Sequence, residues 1–242
     1  MSTHLANSLK AISLVVAVSC YGVTARAADP VTDLMQAANA PYRMALYQTN
    51  SKDPGEAKRA LLQAQQAWNT LSTRFVAKPA APYDRDEAFA ASVGEVSKVY
   101  DQALKEVEAG QLETAHNTLE RVRDIMAEMR QRNNVVVFSD HMNAYHSQME
   151  VIMLHGNEIL AQPKGMLLLT AQAGALTYLT KQLEAQAPAD LAKNAEFNSL
   201  LKAVNQSVVN LETALLSQDL AAVKEAVGKL KGPYSKLFAK FG

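Results

Sequence analysis

Histidine and methionine are concentrated in one segment of the chain, residues 138–158. The segment holds three of the five histidines and three of the nine methionines. On a helix, residues three or four apart share a face. One such face would carry Met142, His146, Met149 and Met153. Glu150 lies one turn beyond His146 at the edge of that face, and His141 lies on the other flank.

These residue types could bind a metal ion in more than one way. One imidazole with several thioethers is a soft ligand set that suits Cu(I) or Ag(I). His146 and Glu150, four residues apart, could instead contribute to an iron or zinc site. His146 and a methionine could also ligate a non-covalent haem. The alternative is structural, because methionines at helical spacing commonly fill a core. The candidate ligands are His146, Met149, Met142, Met153, Glu150 and His141.

Other polar residues give weaker signals. Asp140 could be a ligand, but a carboxylate at the start of a helix more often caps backbone N–H groups, so capping is favoured. The charged residues between Glu120 and Arg132 are predicted to form a solvated helix face. No nucleophile and base can be paired from their spacing, so we do not expect an enzyme.

The elements that position these residues are predicted to be helices throughout. Ala, Leu, Gln, Glu and Lys are strong helix formers, and apolar positions recur every three or four residues. Breaks such as Asp53-Pro54 and Ala109-Gly110 separate the periodic segments. The predicted helices cover about 30–49, 54–77, 85–109, 111–132, 137–161, 166–186, 190–216 and 219–240.

The order of helices and breaks predicts a tandem duplication with an offset of 108 residues. Leu112 aligns with Leu220, Phe89 with Phe197, and the turn at Gly110 with Gln218. Four antiparallel helices with short loops close a bundle. We therefore predict an all-α fold of two four-helix bundles, residues 28–133 and 135–242. A continuous array of helical hairpins is the competing architecture.

The N-terminus has the pattern of an export signal. A polar start with Lys10 is followed by an apolar run at residues 11–19 and by Ala25-Arg26-Ala27. This order is typical of a signal peptide cleaved after Ala27, and the run is too short to span a bilayer. Cleavage would place the protein in the periplasm. A lipidated Cys20 is the less favoured alternative, because Ala17 stands where such sites usually have Leu.

Composition excludes several classes of protein. The 24 Lys and Arg residues balance 24 Asp and Glu, which argues against a nucleic-acid binder held by phosphate contacts. A single Cys excludes a disulfide framework, a Cys-based zinc site and CxxCH haem attachment. Walker A, GxGxxG and GxSxG motifs are absent.

Two stretches resemble known exported helical families. Residues 119–130, followed by Asn134, Phe138-Ser-Asp-His and Met149-Glu150, resemble the exported helical domains that accompany bacterial iron and lead permeases. His155-Gly-Asn-Glu158 is similar to the His-x-x-Glu motif of imelysin-like proteins, although Met153 stands where that family has Gly. Both resemblances imply metal handling outside the cytoplasm.

The sequence therefore predicts a periplasmic protein that binds or delivers copper or iron in metal uptake or homeostasis. An inner-membrane metal permease or another periplasmic protein is the expected partner. A protein-interaction module without metal and a b-type haem electron carrier remain alternatives.

Overall fold

The computed structural model describes residues 29–51 and 53–242, and this part of the chain is all-α, with no β-strand. The predicted signal peptide and Cys20 lie outside the described residues. The helices are α1 Pro30–Thr49, α2 Pro54–Phe75, α3 Phe89–Glu108, α4 Leu112–Arg132, α5 Phe138–Leu160, α6 Gly165–Ala185, α7 Ala189–Ala192, α8 Ala195–Leu216, α9 Leu220–Gly228 and α10 Lys231–Phe241.

Local chemistry explains where several helices begin. The carboxylates of Asp29, Asp53 and Asp219 accept backbone N–H groups at the starts of α1, α2 and α9. Proline follows at the first helical position of α1 and α2, where its missing N–H costs nothing. The Asn194 side chain caps α8 in the same way.

Three predicted helices differ from the structure. The segment 85–109 becomes helical only at Phe89, after a short 3-10 turn at Tyr83–Arg85. The segment 190–216 divides into α7 and α8, because the cap at Asn194 starts a new helix. The segment 219–240 divides into α9 and α10, since Pro233 has no N–H to donate to the carbonyl of Lys229.

Several helix boundaries repeat at the offset of 108 residues. The starts of α1 and α5, the ends of α3 and α8, and the starts of α4 and α9 are each separated by that number. Gly110 and Gln218, the turn residues before α4 and α9, both have left-handed backbone, with φ of 74° and 56°. This register is what a duplication predicts.

Buried hydrophobic residues form two clusters. One runs from Val31 to Val137 and the other from Met142 to Leu237. Around the first cluster, α1 contacts α2, α2 contacts α3, α3 contacts α4, and α4 returns to α1. Around the second, α5 contacts α6, α6 contacts α8, and α8 contacts α9 and α10, which both return to α5. The two-bundle division at residues 133–135 remains a prediction, and these contacts are the ones it requires.

Helix α10 links the two clusters. It contacts α1 as well as α5 and α8, and Phe238 packs against both clusters. The Asn39 amide donates to the carbonyl oxygen of Gly242 at 2.9 Å. The seam where α1, α4, α5 and α10 meet contains the candidate site.

Candidate metal site

Helices α4 and α5 bring together one imidazole and two carboxylates. Glu120 lies in the middle of α4, and His146 and Glu150 lie one turn apart on α5. One ligand atom from each residue can be chosen so that all three lie within 4.8 Å of one another. In the described part of the chain this is the one group of three such side chains that could hold a metal ion.

The separations suit a single ion. His146 Nε2 lies 3.2 Å from Glu150 Oε1 and 3.9 Å from Glu120 Oε1. Donor atoms about 2.0–2.2 Å from a tetrahedral ion are about 3.3–3.6 Å apart. The two distances from His146 therefore need to change by only a few tenths of an ångström to accommodate an ion, and the two carboxylates lie within 4.8 Å of each other.

His146 has the protonation state that metal binding needs. Burial, together with the charges of Arg123 and Lys231, lowers the pKa of His146 to about 4. The imidazole is therefore neutral at pH 7. Neither ring nitrogen forms a hydrogen bond, although Glu150 Oε1 lies only 3.2 Å from Nε2. A buried polar group without a partner costs free energy unless a ligand satisfies it.

The ring of His146 is held in place by aromatic packing. Its centroid lies 5.4 Å from that of Tyr234 on α10, and the two planes are 26° apart. The Tyr234 hydroxyl donates to the carbonyl oxygen of Met142 at 3.1 Å, which ties α10 to α5. The imidazole orientation is therefore fixed by contacts that involve neither carboxylate.

A second histidine lies beside the group. His116 is one turn before Glu120, and its Nε2 lies 3.8 Å from Glu120 Oε1. Its Nδ1 lies 3.1 Å from the carbonyl oxygen of Leu46, which can only accept a hydrogen bond. The other ring nitrogen, Nε2, lies 3.3 Å from the amide nitrogen of Asn50, so His116 already has hydrogen-bond partners and lies outside the group of three. His116–Glu120 and His146–Glu150 repeat the same four-residue spacing.

The site opens into a small cavity of about 90 Å³ between the two core clusters. That volume holds an ion and a few water molecules, whereas organic ligands occupy sites of about 300 Å³ or more. A haem ligated by His146 remains an alternative prediction. Burial and the Glu120 carboxylate raise the pKa of Glu150. The walls also carry Arg43, Arg123 and Lys231.

Of the six ligands predicted from sequence, the structure brings two into this group, His146 and Glu150. Met142 and Met149 are fully buried in the second core cluster. Met153 packs at the edge of that cluster and lines a different cavity, next to Gly156 and Leu160. His141 is half-buried and outside the group. A role for these four as ligands remains a prediction.

Sequence reasoning missed Glu120, His116 and Arg123. The prediction that the charged face of α4 is solvated is wrong for Arg130, which is 4 % exposed and bonds to Asp140 at 2.5 Å. The Asp140 carboxylate also accepts the backbone N–H of Val137, so Asp140 has the favoured capping role. The repeated four-residue spacing was a signal for His116 and Glu120, but sequence alone does not show that the two pairs meet.

Comparison of the chain with protein-family models, curated proteins and solved structures finds no match. The resemblances to permease-associated and imelysin-like domains are therefore still predictions. Among the described residues, no helix is both long and apolar enough to span a membrane.

Proposed function

We propose that this protein binds a transition metal ion through Glu120, His146 and Glu150 and carries it in metal uptake or homeostasis. One observation carries the proposal: a neutral, buried imidazole without hydrogen-bond partners lies within 4 Å of two carboxylates from different helices. A histidine that only filled the core edge would instead bond to a neighbouring polar group.

The donor set favours iron or zinc over cuprous copper. Carboxylate oxygens are hard ligands and imidazole is borderline, so the site suits Fe(II), Fe(III), Zn(II) or Cu(II). Cu(I) needs thioethers, and Met142 and Met149 lie in the core. Of the two metals predicted from sequence, iron suits this site in either oxidation state, whereas copper suits it only as Cu(II).

Two of the ligands are partly exposed, which suits a site where the bound ion can exchange with ions in solution. The side chain of Glu150 is 40 % exposed and that of Glu120 is 29 % exposed, so an ion can enter without unfolding the protein. Three protein ligands also leave coordination positions open, as in sites that exchange a ligand. A structural metal site would be closed by four protein ligands.

Metal titration of purified protein tests the proposal. We expect one Fe(II), added without oxygen, or one Zn(II) per chain, and binding of either ion about a hundredfold weaker in His146→Ala and in Glu150→Gln. His155→Ala is the matched control, since His155 and Glu158 are an exposed pair on the same helix, 3.1 Å apart. Circular dichroism would establish that each variant is folded. Absence of stoichiometric binding would refute the proposal and favour the interaction-module alternative.

A periplasmic location is part of the same proposal, and its support is the sequence pattern of residues 1–27. Cell fractionation of a tagged chain tests it. Processing at Ala27 and release with the periplasmic fraction are expected, whereas Ala27→Phe should block processing. A metal permease as partner would be tested by crosslinking in the same cells.

A further inference from the structure

The charges around the site are unbalanced once an ion is bound. The cavity walls carry three cationic side chains, Arg43, Arg123 and Lys231, and two carboxylates. Arg123 also pairs with Asp124 at 3.0 Å, so with both histidines neutral these side chains together carry no net charge. A divalent ion then adds two positive charges in a small, half-buried space, where uncompensated charge is costly.

One of these cations has a donor without an acceptor. Arg43 donates to the backbone carbonyl oxygen of Lys240 and to an oxygen of the Gly242 main-chain carboxylate, but its Nε is buried without a hydrogen-bond partner. Among the described side chains, Arg43 forms no ion pair with a carboxylate. Lys231, at the start of α10, is exposed and also without an ion pair to a described side chain.

The open coordination positions and the unused donors point to the same ligand. Three protein atoms leave at least one position on a tetrahedral ion and three on an octahedral one. A group that fills such a position and accepts hydrogen bonds from guanidinium or ammonium must be anionic and rich in oxygen. The cavity of about 90 Å³ limits it to a few heavy atoms.

We infer that the site binds its metal ion together with a small oxyanion, of the size of phosphate or carbonate. This inference rests on the proposed metal site. The oxyanion would complete the coordination of the ion while Arg43 and Lys231 bond to its other oxygens, because oxyanions are the ligands that guanidinium and ammonium groups bind best. Metal affinity and oxyanion affinity are then coupled, and each raises the other by the same factor.

A titration at fixed free metal tests the inference. Zn²⁺ serves as a redox-inert probe, with its free concentration set by a chelator buffer and ionic strength held constant with chloride. Added phosphate or bicarbonate should raise Zn²⁺ affinity at least tenfold. Equilibrium dialysis with labelled phosphate should then retain one phosphate per bound Zn²⁺ and none without the metal.

Two variants and a control assign the effect to named residues. Lys231→Ala and Arg43→Gln should still bind Zn²⁺ in chloride but gain less than threefold from either oxyanion. Lys229→Ala, a nearby exposed lysine that pairs with Glu225, should keep the tenfold gain. Equal Zn²⁺ affinity in chloride alone, with phosphate and with bicarbonate would overturn the oxyanion inference but not the proposed metal site. Absence of Zn²⁺ binding in every buffer would overturn both.

Discussion

At the residue scale, His146 combines an unusual protonation state with an unusual lack of partners. It is 13 % exposed, stacked on Tyr234 and close to Arg123 and Lys231, so protonation of the folded protein is disfavoured. The same features that keep the imidazole neutral make it available to an ion at neutral pH, because no proton has to leave first.

The lowered pKa of His146 predicts how metal-free stability depends on pH. The pKa is about 4 in the folded protein and about 6.5 when unfolded, so the unfolded chain binds the proton first as pH falls. Stability is fully present above pH 6.5 and is lost towards pH 4. Between pH 7 and 4.5 the wild-type protein should lose about 2–3 kcal/mol more than His146→Gln.

Urea unfolding in the presence of a chelator measures this difference. Other acid-sensitive groups are common to both proteins, so the comparison isolates position 146. Parallel losses of stability in the two proteins would contradict the assigned pKa.

Arg130, near the end of α4, and Asp140, near the start of α5, form a buried ion pair. Asp140→Ala leaves the Arg130 guanidinium, 4 % exposed, without its carboxylate, and should lower the free energy of unfolding by about 3–5 kcal/mol. The control is Glu95→Ala, which breaks an exposed pair with Arg121 and should cost at most about 1 kcal/mol. Chemical denaturation compares the two, and similar costs would show that burial of Arg130 is unimportant.

At the scale of elements, the turn between α5 and α6 depends on a glycine. A Cβ on Gly165 would lie 2.6 Å from the carbonyl oxygen of Leu160, closer than any relaxed contact. Gly174, in the exposed middle of α6, has no atom of another element within 4 Å of an added Cβ. Two glycines of one helix thus have opposite surroundings.

Alanine at these glycines should therefore have opposite effects. Gly165→Ala should destabilise the protein by several kcal/mol or displace the turn, as clashes with backbone do. Gly174→Ala should stabilise it by about 0.5–1 kcal/mol, because alanine loses less backbone entropy in a helix. Thermal unfolding measures both changes in stability. A gain in stability from Gly165→Ala would show that the turn has room for a Cβ atom.

At the scale of the whole molecule, the proposed ligands come from helices that pack around different core clusters. Glu120 is on α4 beside the first cluster, and His146 and Glu150 are on α5 beside the second. A bound ion therefore joins the two halves, and its binding free energy adds to the stability of the folded chain.

Metal should consequently raise the midpoint of thermal unfolding. At a free metal concentration of about 100 times Kd, the gain is about 2.7 kcal/mol, or roughly 5–10 °C for a chain of this size. Glu120→Gln should remove most of the gain, although it leaves the α5 ligands in place. An equal gain in Glu120→Gln would show that α4 takes no part in the site.

The sequence by itself determined most of the secondary structure and two of the three residues of the proposed metal group. Helix periodicity and capping residues act within a few neighbours, so α1, α2, α4, α5 and α6 lie close to their predicted bounds. His146 and Glu150 were found because four-residue spacing on one helix fixes their separation. The breaks at Asn194 and Pro233 are also local, but the continuous apolar pattern around them concealed the new helix starts.

Only the tertiary structure decided which side chains meet. Glu120 and His146 are 26 residues apart, and their approach depends on how α4, α5 and α10 pack, which periodicity does not encode. The methionine face of α5 points into the core, and the neighbouring edge with His146 and Glu150 faces the seam. Neighbouring positions on α5 therefore become either core residues or candidate ligands. The packing of the other helices against α5 determines which role each position has.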